Sequence, residues 1–305
     1  MLRHLLLLSA LLFSTLVPLH AERKAGHVFI ISFDGGKPAV IHESEMPVLK
    51  RLADEGAVTW AAQTIDPSKT LPSHTSMLTG VGPAKHQVLW NDYQPLKGTV
   101  TVPTIFSVAR EKDPKLVTGL FAGKIKFRHL WLPNSLDQFN CGGAQTTAPI
   151  PASEEKKLVP SQGVAKEVVP YIVEKKPDLC FIHFPDPDSA GHKSGWGSPE
   201  QKEAFKVSDQ ALSQVVGAIK KAGIADSSVI IISADHGGHE KTHGSTMPED
   251  MTIPWIAWGQ GVKKHFTITQ PVTTYDTAAT ALWLLGVSVP ASFDGKPVTE
   301  AFESK

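Results

Sequence analysis

The sequence predicts an α/β fold with a mostly parallel central sheet and helices on both faces, built as a single domain. Two observations carry that expectation. Apolar runs of strand length alternate along the chain with stretches of helical periodicity, the order that a sheet with crossover helices requires. Three of those runs also end in aspartate-bearing turns: Asp34-Gly35-Gly36, Pro185-Asp186-Pro187-Asp188 and Asp235-His236-Gly237-Gly238.

In chain order, residues 27–33 read as a buried strand and residues 46–56 as a helix. Residues 116–122 and 178–184 read as two further strands. Ser198 then serves as an N-cap, Pro199 as the first helical residue and Gln201 as the partner of a capping box. Phe205, Leu212, Val215, Val216 and Ile219 recur at helical spacing and give that helix one buried face. Residues 229–233 and 253–258 supply a fourth and a fifth strand, and residues 274–285 a closing helix. Residues 141–161, rich in Pro, Thr, Ala and Ser, read as a long loop or small insertion.

The N-terminus reads as an export leader. Arg3 and His4 precede the apolar run 5–13, and Ala21 offers a small residue at a cleavage site. The run is shorter than the roughly 20 residues of a membrane span. The expectation is therefore a leader over 1–21 and a catalytic domain over 22–305, exported to the periplasm or secreted, with no membrane contact after cleavage. The 305 residues are 41% apolar and 20% charged, with zero formal net charge. No basic field is present to attract a nucleic-acid polymer. The two cysteines, Cys141 and Cys180, set no disulfide framework. Cys180, inside Leu179-Cys180-Phe181-Ile182, reads as a buried thiol, and an oxidising compartment leaves a bridge to Cys141 open.

In open α/β sheets ligands bind beyond the carboxyl ends of the strands, where the three aspartate-bearing turns fall. Asp188 stands four residues before His192 in a Gly-containing turn, and Asp235 adjoins His236. His239 and His243 follow close behind. Carboxylate and imidazole donors without thiolate suit zinc in an open, catalytic site. Thr70 completes the set. Pro72 reads as the first residue of a helix, with Thr70 and Leu71 just before it, where backbone N–H groups and the helix dipole favour an anion. A threonine hydroxyl is a poor nucleophile unless a metal lowers its pKa.

Asp34-Gly35, Lys69-Thr70-Leu71-Pro72-Ser73-His74, Asn91, Pro187-Asp188-Ser189-Ala190-Gly191-His192, Asp235-His236-Gly237 and His243-Gly244 occur in an order that resembles one family. It is the type I phosphodiesterase/nucleotide pyrophosphatase branch of the alkaline phosphatase superfamily, and the resemblance spans residues 28–293. It implies two Zn2+ sites, one of Asp188, His192 and His243, the other of Asp34, Thr70, Asp235 and His236. His243 is preferred to His239 because the run after it resembles the segment that follows the last ligand in relatives. Asn91 would donate to a non-bridging phosphate oxygen, with the backbone N–H of Leu71 or Thr70 as second donor.

The implied chemistry is a two-step hydrolysis of a small phosphoric ester through a phosphothreonine. Trp90, Tyr93, Trp131 and Trp196 offer stacking surface for the second ester group of a diester. The alternative is an alkaline phosphomonoesterase using the same threonine. For it, Lys124, Lys126 and Arg128, alternating along a strand end, resemble the Lys-x-Arg pair of threonine-using monoesterases. A sulfatase is disfavoured, because Thr70-Leu71-Pro72-Ser73-His74 lacks both the modifiable Cys or Ser and the Arg of the Cys/Ser-x-Pro-x-Arg context.

Overall fold

The computed structural model describes residues 22–145 and 157–304. The expected leader, 1–21, and the middle of the 141–161 insertion lie outside the described residues. The described residues form eight strands: His27–Phe33 (β1), Ala57–Gln63 (β2), Thr118–Ala122 (β3), Gln138–Cys141 (β4), Leu179–Phe184 (β5), Ser228–Ser233 (β6), Thr252–Gly259 (β7) and Phe266–Thr267 (β8). They form one sheet in the order β4-β3-β5-β1-β6-β7-β2-β8. The block from β4 to β6 is wholly parallel. β7, expected from its apolar run, pairs antiparallel with both β6 and β2, so the sheet is mixed at that end.

The helices are Pro38–Glu43 (α1), Pro47–Glu55 (α2), Thr70–Thr79 (α3), Pro83–His86 (α4), Ile105–Lys112 (α5), Ser161–Lys175 (α6), Asp186–Ser194 (α7), Pro199–Lys221 (α8), Pro248–Met251 (α9) and Asp276–Leu284 (α10). Strand alternation sorts the core into two layers. Val28 and Ile30 of β1, Leu179 and Phe181 of β5, and Val229 and Ile231 of β6 pack on one side with residues of α3, α5 and α10. Phe29, Ile31, Cys180, Ile182, Ile230 and Ile232 pack on the other, against α2, α6 and α8. The face read for α8 is buried there in full.

Three local expectations are corrected. Helix α3 begins at Thr70 with Lys69 as its N-cap, so Thr70 is inside the helix and Pro72 is its third residue. Pro72 still fits, because the first N–H groups of a helix have no intrahelical partner. The stretch 185–192, read as turns, instead lies in helix α7 (186–194) with Pro185 as its N-cap, despite Gly191, and Asp186 and Asp188 sit in the first turn where the dipole favours them. Gln201 does not close a capping box. Ser198 accepts from the Gln201 N–H as expected, but the Gln201 side chain accepts from Gly197 N–H and donates to the Pro187 carbonyl, tying α8 to α7.

Cys141 ends β4 and Cys180 lies in β5, both buried and free. They belong to opposite layers of the core, which leaves the sheet between them. Among the described residues, no helix is long and apolar enough to cross a membrane.

Candidate metal centre

Four neighbouring parallel strands, β3, β5, β1 and β6, deliver their carboxyl ends to one edge. Lys124 follows β3, Asp188 follows β5 within α7, Asp34 follows β1, and Asp235 and His236 follow β6. Helix α3 brings Thr70 to the same place. The i,i+4 spacing of Asp188 and His192, now helical, puts both on one face of α7, with Oδ1 3.3 Å from Nε2. The Gly35 backbone, at φ +71°, lets β1 turn at Asp34. A Cβ there would stand 3.1 Å from the Asp188 Cα, so a side chain would strain both the turn and this approach.

The imidazoles share one pattern. His192 donates Nδ1–H to the Lys241 carbonyl, His236 to that of Gly237 and His243 to that of Ser68, each at 2.8–2.9 Å. Each donation puts a proton on Nδ1, so that in the neutral ring Nε2 is the lone pair, as in metal-ligating histidines. His192 Nε2 and His243 Nε2 lie 3.1 Å apart. At that separation the two nitrogens can share a proton or a metal ion.

The carboxylates follow a matching pattern. Asp34 Oδ2 receives His183 Nε2–H and Lys124 Nζ, each at 2.7 Å. Asp188 Oδ2 receives Lys124 Nζ at 2.6 Å. Asp235 Oδ1 receives the N–H groups of Gly35 and His236. In each case the other oxygen, together with His236 Nε2, is buried without a hydrogen-bond partner. Such orphaned atoms cost a fold about 1–3 kcal/mol apiece unless something binds them. His236 Nε2 stands 3.4 Å from Asp34 Oδ1, 3.2 Å from Asp235 Oδ2 and 4.0 Å from Asp188 Oδ1.

Asp188, His192 and His243 form one ligand-spaced group, and Asp34, Asp188 and His236 another. Asp188 thus faces both groups, a sharing that spacing along the chain did not predict. This acid-and-imidazole set, with its bare buried atoms, fits divalent-metal binding. His239 turns elsewhere: its Nδ1 pairs with Asp250 at 2.7 Å.

Burial and mutual charge set the electrostatics. Burial raises the Asp235 carboxyl well above the usual range, with the Asp34 charge adding to it. Burial would also raise Asp34, but Lys124 and His183 hold it well below. Burial lowers His236, and lowers His243 to about 3 with help from His236, so both imidazoles stay neutral. His192 is raised by the Asp188 carboxylate 3.3 Å from its Nε2. Lys124 is raised by Asp188 and Asp34 against its burial.

Thr70 is buried at the start of α3. Its Oγ1 lies 3.5 Å from Lys124 Nζ, the same nitrogen that joins Asp34 and Asp188. Asn91 Oδ1 accepts from the Leu71 N–H at 2.9 Å. That bond engages the Leu71 donor and leaves the Asn91 amide NH2 as the free donor of the pair. The strand-like alternation read for Lys124, Lys126 and Arg128 is absent. Residues Ile125–Leu130 form a 3-10 helix instead, with Lys124 as its N-cap. Burial and the charge of Lys124 lower Lys126 to about 8.

Of the aromatics, Trp196 packs on the rings of His192 and His243 and donates to the Gly35 carbonyl. Trp90 and Trp131 pack at the core margin. Tyr93 and Trp131 border a cavity of about 170 Å³ beside Arg128 and His129.

Two buried histidines behind the candidate ligands were given no role from sequence, although His74 ends the segment that carries the resemblance. His74 bonds Ser32 Oγ and the Thr70 carbonyl, and His183 bonds Asp34. Their local signals are that His74 follows Thr70 by one helical turn and that His183 interrupts an apolar strand.

The fold and this donor set define a member of the alkaline phosphatase superfamily. Within it the chain belongs to the type I phosphodiesterase / nucleotide pyrophosphatase family, whose model matches residues 28–248. It is 26% identical over 233 residues to bis(5'-adenosyl)-triphosphatase enpp4 of Mus musculus, covering 71% of this chain and 48% of that protein. It is 24% identical over 223 residues to venom phosphodiesterase 2 of Crotalus adamanteus, covering 70% of this chain and 27% of the relative. The chain thus spans half or less of the length of these relatives. Among solved structures, an inactive form of murine ectonucleotide pyrophosphatase / phosphodiesterase 5 in complex with AMP superposes with a TM-score of 0.71 at 15% identity. That match covers 91% of this chain and 100% of the other. A 2-O GAG sulfatase superposes with a TM-score of 0.69 at 17% identity, over 91% of this chain and 74% of the sulfatase. At these identities the superpositions speak for the fold alone.

Proposed function

We propose that the chain hydrolyses phosphodiester and pyrophosphate bonds of small, nucleotide-like esters, with Thr70 as the nucleophile. The carrying observation is the orphaned oxygens of Asp34, Asp188 and Asp235 and the bare Nε2 of His236, with Lys124 Nζ bridging Asp34 and Asp188 and lying 3.5 Å from the buried Thr70 hydroxyl. Asp188, His192 and His243 would hold one zinc ion, and Asp34, Asp235 and His236, with Thr70, the second. Bound there, such a pair supplies Lewis acidity, lowering a hydroxyl's pKa and offsetting charge on the entering and leaving oxygens.

The chain's own groups do the rest. Helix α3 holds Thr70 so that Oγ1 can attack phosphorus in line, forming a phosphothreonine as the P–O bond to the leaving group breaks. The freed Asn91 NH2 donates to a non-bridging oxygen, and the Thr70 N–H opens the helix whose dipole favours the anion. Water then cleaves the phosphothreonine and restores Thr70. A nucleotide-like substrate is supported by family membership and by the dinucleoside triphosphatase among the relatives.

One observation favours a second reading, a phosphomonoesterase. Lys124 Nζ is already 3.5 Å from Thr70 Oγ1, where an ammonium can meet the extra charge of a monoester. A panel on metal-quantified protein tests both readings: an aryl phosphate, a bis-aryl phosphate diester and an aryl sulfate, each with wild type, Thr70→Ala and Lys124→Ala. Diester turnover should lead, and Thr70→Ala should lower it at least about 10³-fold with metal content kept. Wild-type rates from Thr70→Ala would remove the threonine from the mechanism. Monoester turnover that leads and collapses in Lys124→Ala would shift the assignment to the second reading.

A further inference from the structure

We propose that His183 is a positioning residue that decides which oxygen of Asp34 is presented to the metal, and so sets the centre's affinity for a divalent cation. This rests on reading the cluster as a metal centre, and the experiment below separates the two. In β5, Leu179 and Phe181 face one core layer, and alternation puts residue 183 on the same face. An apolar side chain belongs there. The chain instead places an imidazole with no exposure, 4.5 Å between ring centroids from Phe127 and 5.0 Å from His74.

The hydrogen bonds show what the imidazole does. Asp34 is an acceptor only, so the proton lies on His183 Nε2, which donates to Oδ2 at 2.7 Å. His183 Nδ1 is then a lone pair, buried and without a hydrogen-bond partner. For the fold alone, a phenylalanine or leucine would serve better, since neither leaves a polar atom stranded. The compensation is at Asp34, whose two oxygens are made unequal. Oδ2 is held by the protein, while Oδ1 is bare and 3.4 Å from His236 Nε2.

Lys124 also reaches Oδ2, but its Nζ is shared with Asp188 and sits at the end of a flexible stem. His183 stands on a central strand, in register with Ser32 on one side and Ala122 on the other. It is the rigid one of the two donors. Without it, Asp34 can turn about its terminal torsion and present its oxygens indifferently.

The test compares His183→Phe, His183→Leu and His183→Gln, whose side-chain amide can restore an N–H near the position of Nε2. Zinc affinity is measured by competition with a chromophoric chelator, and melting temperature is measured on chelator-stripped protein. His183→Phe or His183→Leu should melt at or above the wild-type temperature when stripped, yet bind zinc about 10- to 100-fold more weakly. His183→Gln should recover most of that affinity. Turnover of the apolar variants should return toward wild type as zinc is raised to saturation. Wild-type zinc affinity in both apolar variants overturns the proposal, as does an equal loss in His183→Gln, which would trace the effect to ring packing. A wild-type protein that takes up no zinc in the same titration instead sinks the metal-centre reading on which the proposal rests.

Discussion

At the scale of single residues, burial decides which polar groups can be charged. His86 shows this away from the metal centre. Its Nε2 pairs with Ser76 Oγ and its Nδ1 accepts from the Val88 N–H, and burial lowers it to about 4 from an ordinary value near 6.5. The folded chain therefore tolerates only the neutral ring. Between about pH 6.5 and about pH 4 the unfolded chain binds a proton that the folded chain refuses, so stability falls with pH there and is fully present above it. Melting curves across that window should fall more steeply for wild type than for His86→Gln; parallel curves would show that His86 does not drive the loss. The same logic explains why the candidate ligands were legible in sequence and their supports were not. Asp34, Asp188 and Asp235 stand out because acids at strand ends need a reason, whereas His183 and His74 show their purpose only through the atoms they touch.

At the scale of elements, the helix carrying Thr70 depends on how it ends as much as on how it begins. Gly80 caps α3 in the left-handed region at φ +70°, and an added Cβ would lie 2.0 Å from the Phe293 ring. Gly80→Ala should cost about 2 kcal/mol or more, from backbone strain and overpacking together. In a Phe293→Ala background, chemical denaturation should show a smaller penalty, because the steric part is relieved. Full additivity would mean that the ring is not the obstacle. Helix α7 teaches a related lesson. Its Asp-Pro start and Gly191 read as a turn, yet α8 holds it through Gln201 and the dipole favours its two acids. Tertiary contacts overrode weak local propensity.

At the scale of the whole molecule, the sheet concentrates unsatisfied charge in its interior. Three aspartates, each with one bare buried oxygen, crowd one edge, and Lys124 is the cation that joins two of them. A ligand that binds only the folded state adds stability by mass action, about 4 kcal/mol at a thousandfold excess over its dissociation constant. For a domain of this size, chelation should lower the melting temperature by roughly 10 °C, and added zinc should restore it. An unchanged melting curve, with metal loss confirmed by elemental analysis, would show that the carboxylates need no cation to be tolerated. The opposite sheet edge carries a larger cavity of about 450 Å³, lined by Glu55, Trp258 and His265 among others. It contains none of the groups discussed above, so concavity alone did not locate the chemistry.

The sequence by itself determined the parallel core of the fold, the edge at which donors gather, the acids and imidazoles that gather there, and the threonine beside them. These follow from apolar period and from polar residues placed where strands stop, both local properties. Only the tertiary structure decided that β7 reverses direction, that Asp188 faces both ligand groups, that Asn91 rather than Leu71 keeps a free donor, and that His183 and His74 stand behind the ligands. Those outcomes depend on which atoms meet across strands and helices far apart in the chain, and a hydrogen bond's direction is fixed only when both partners are in place.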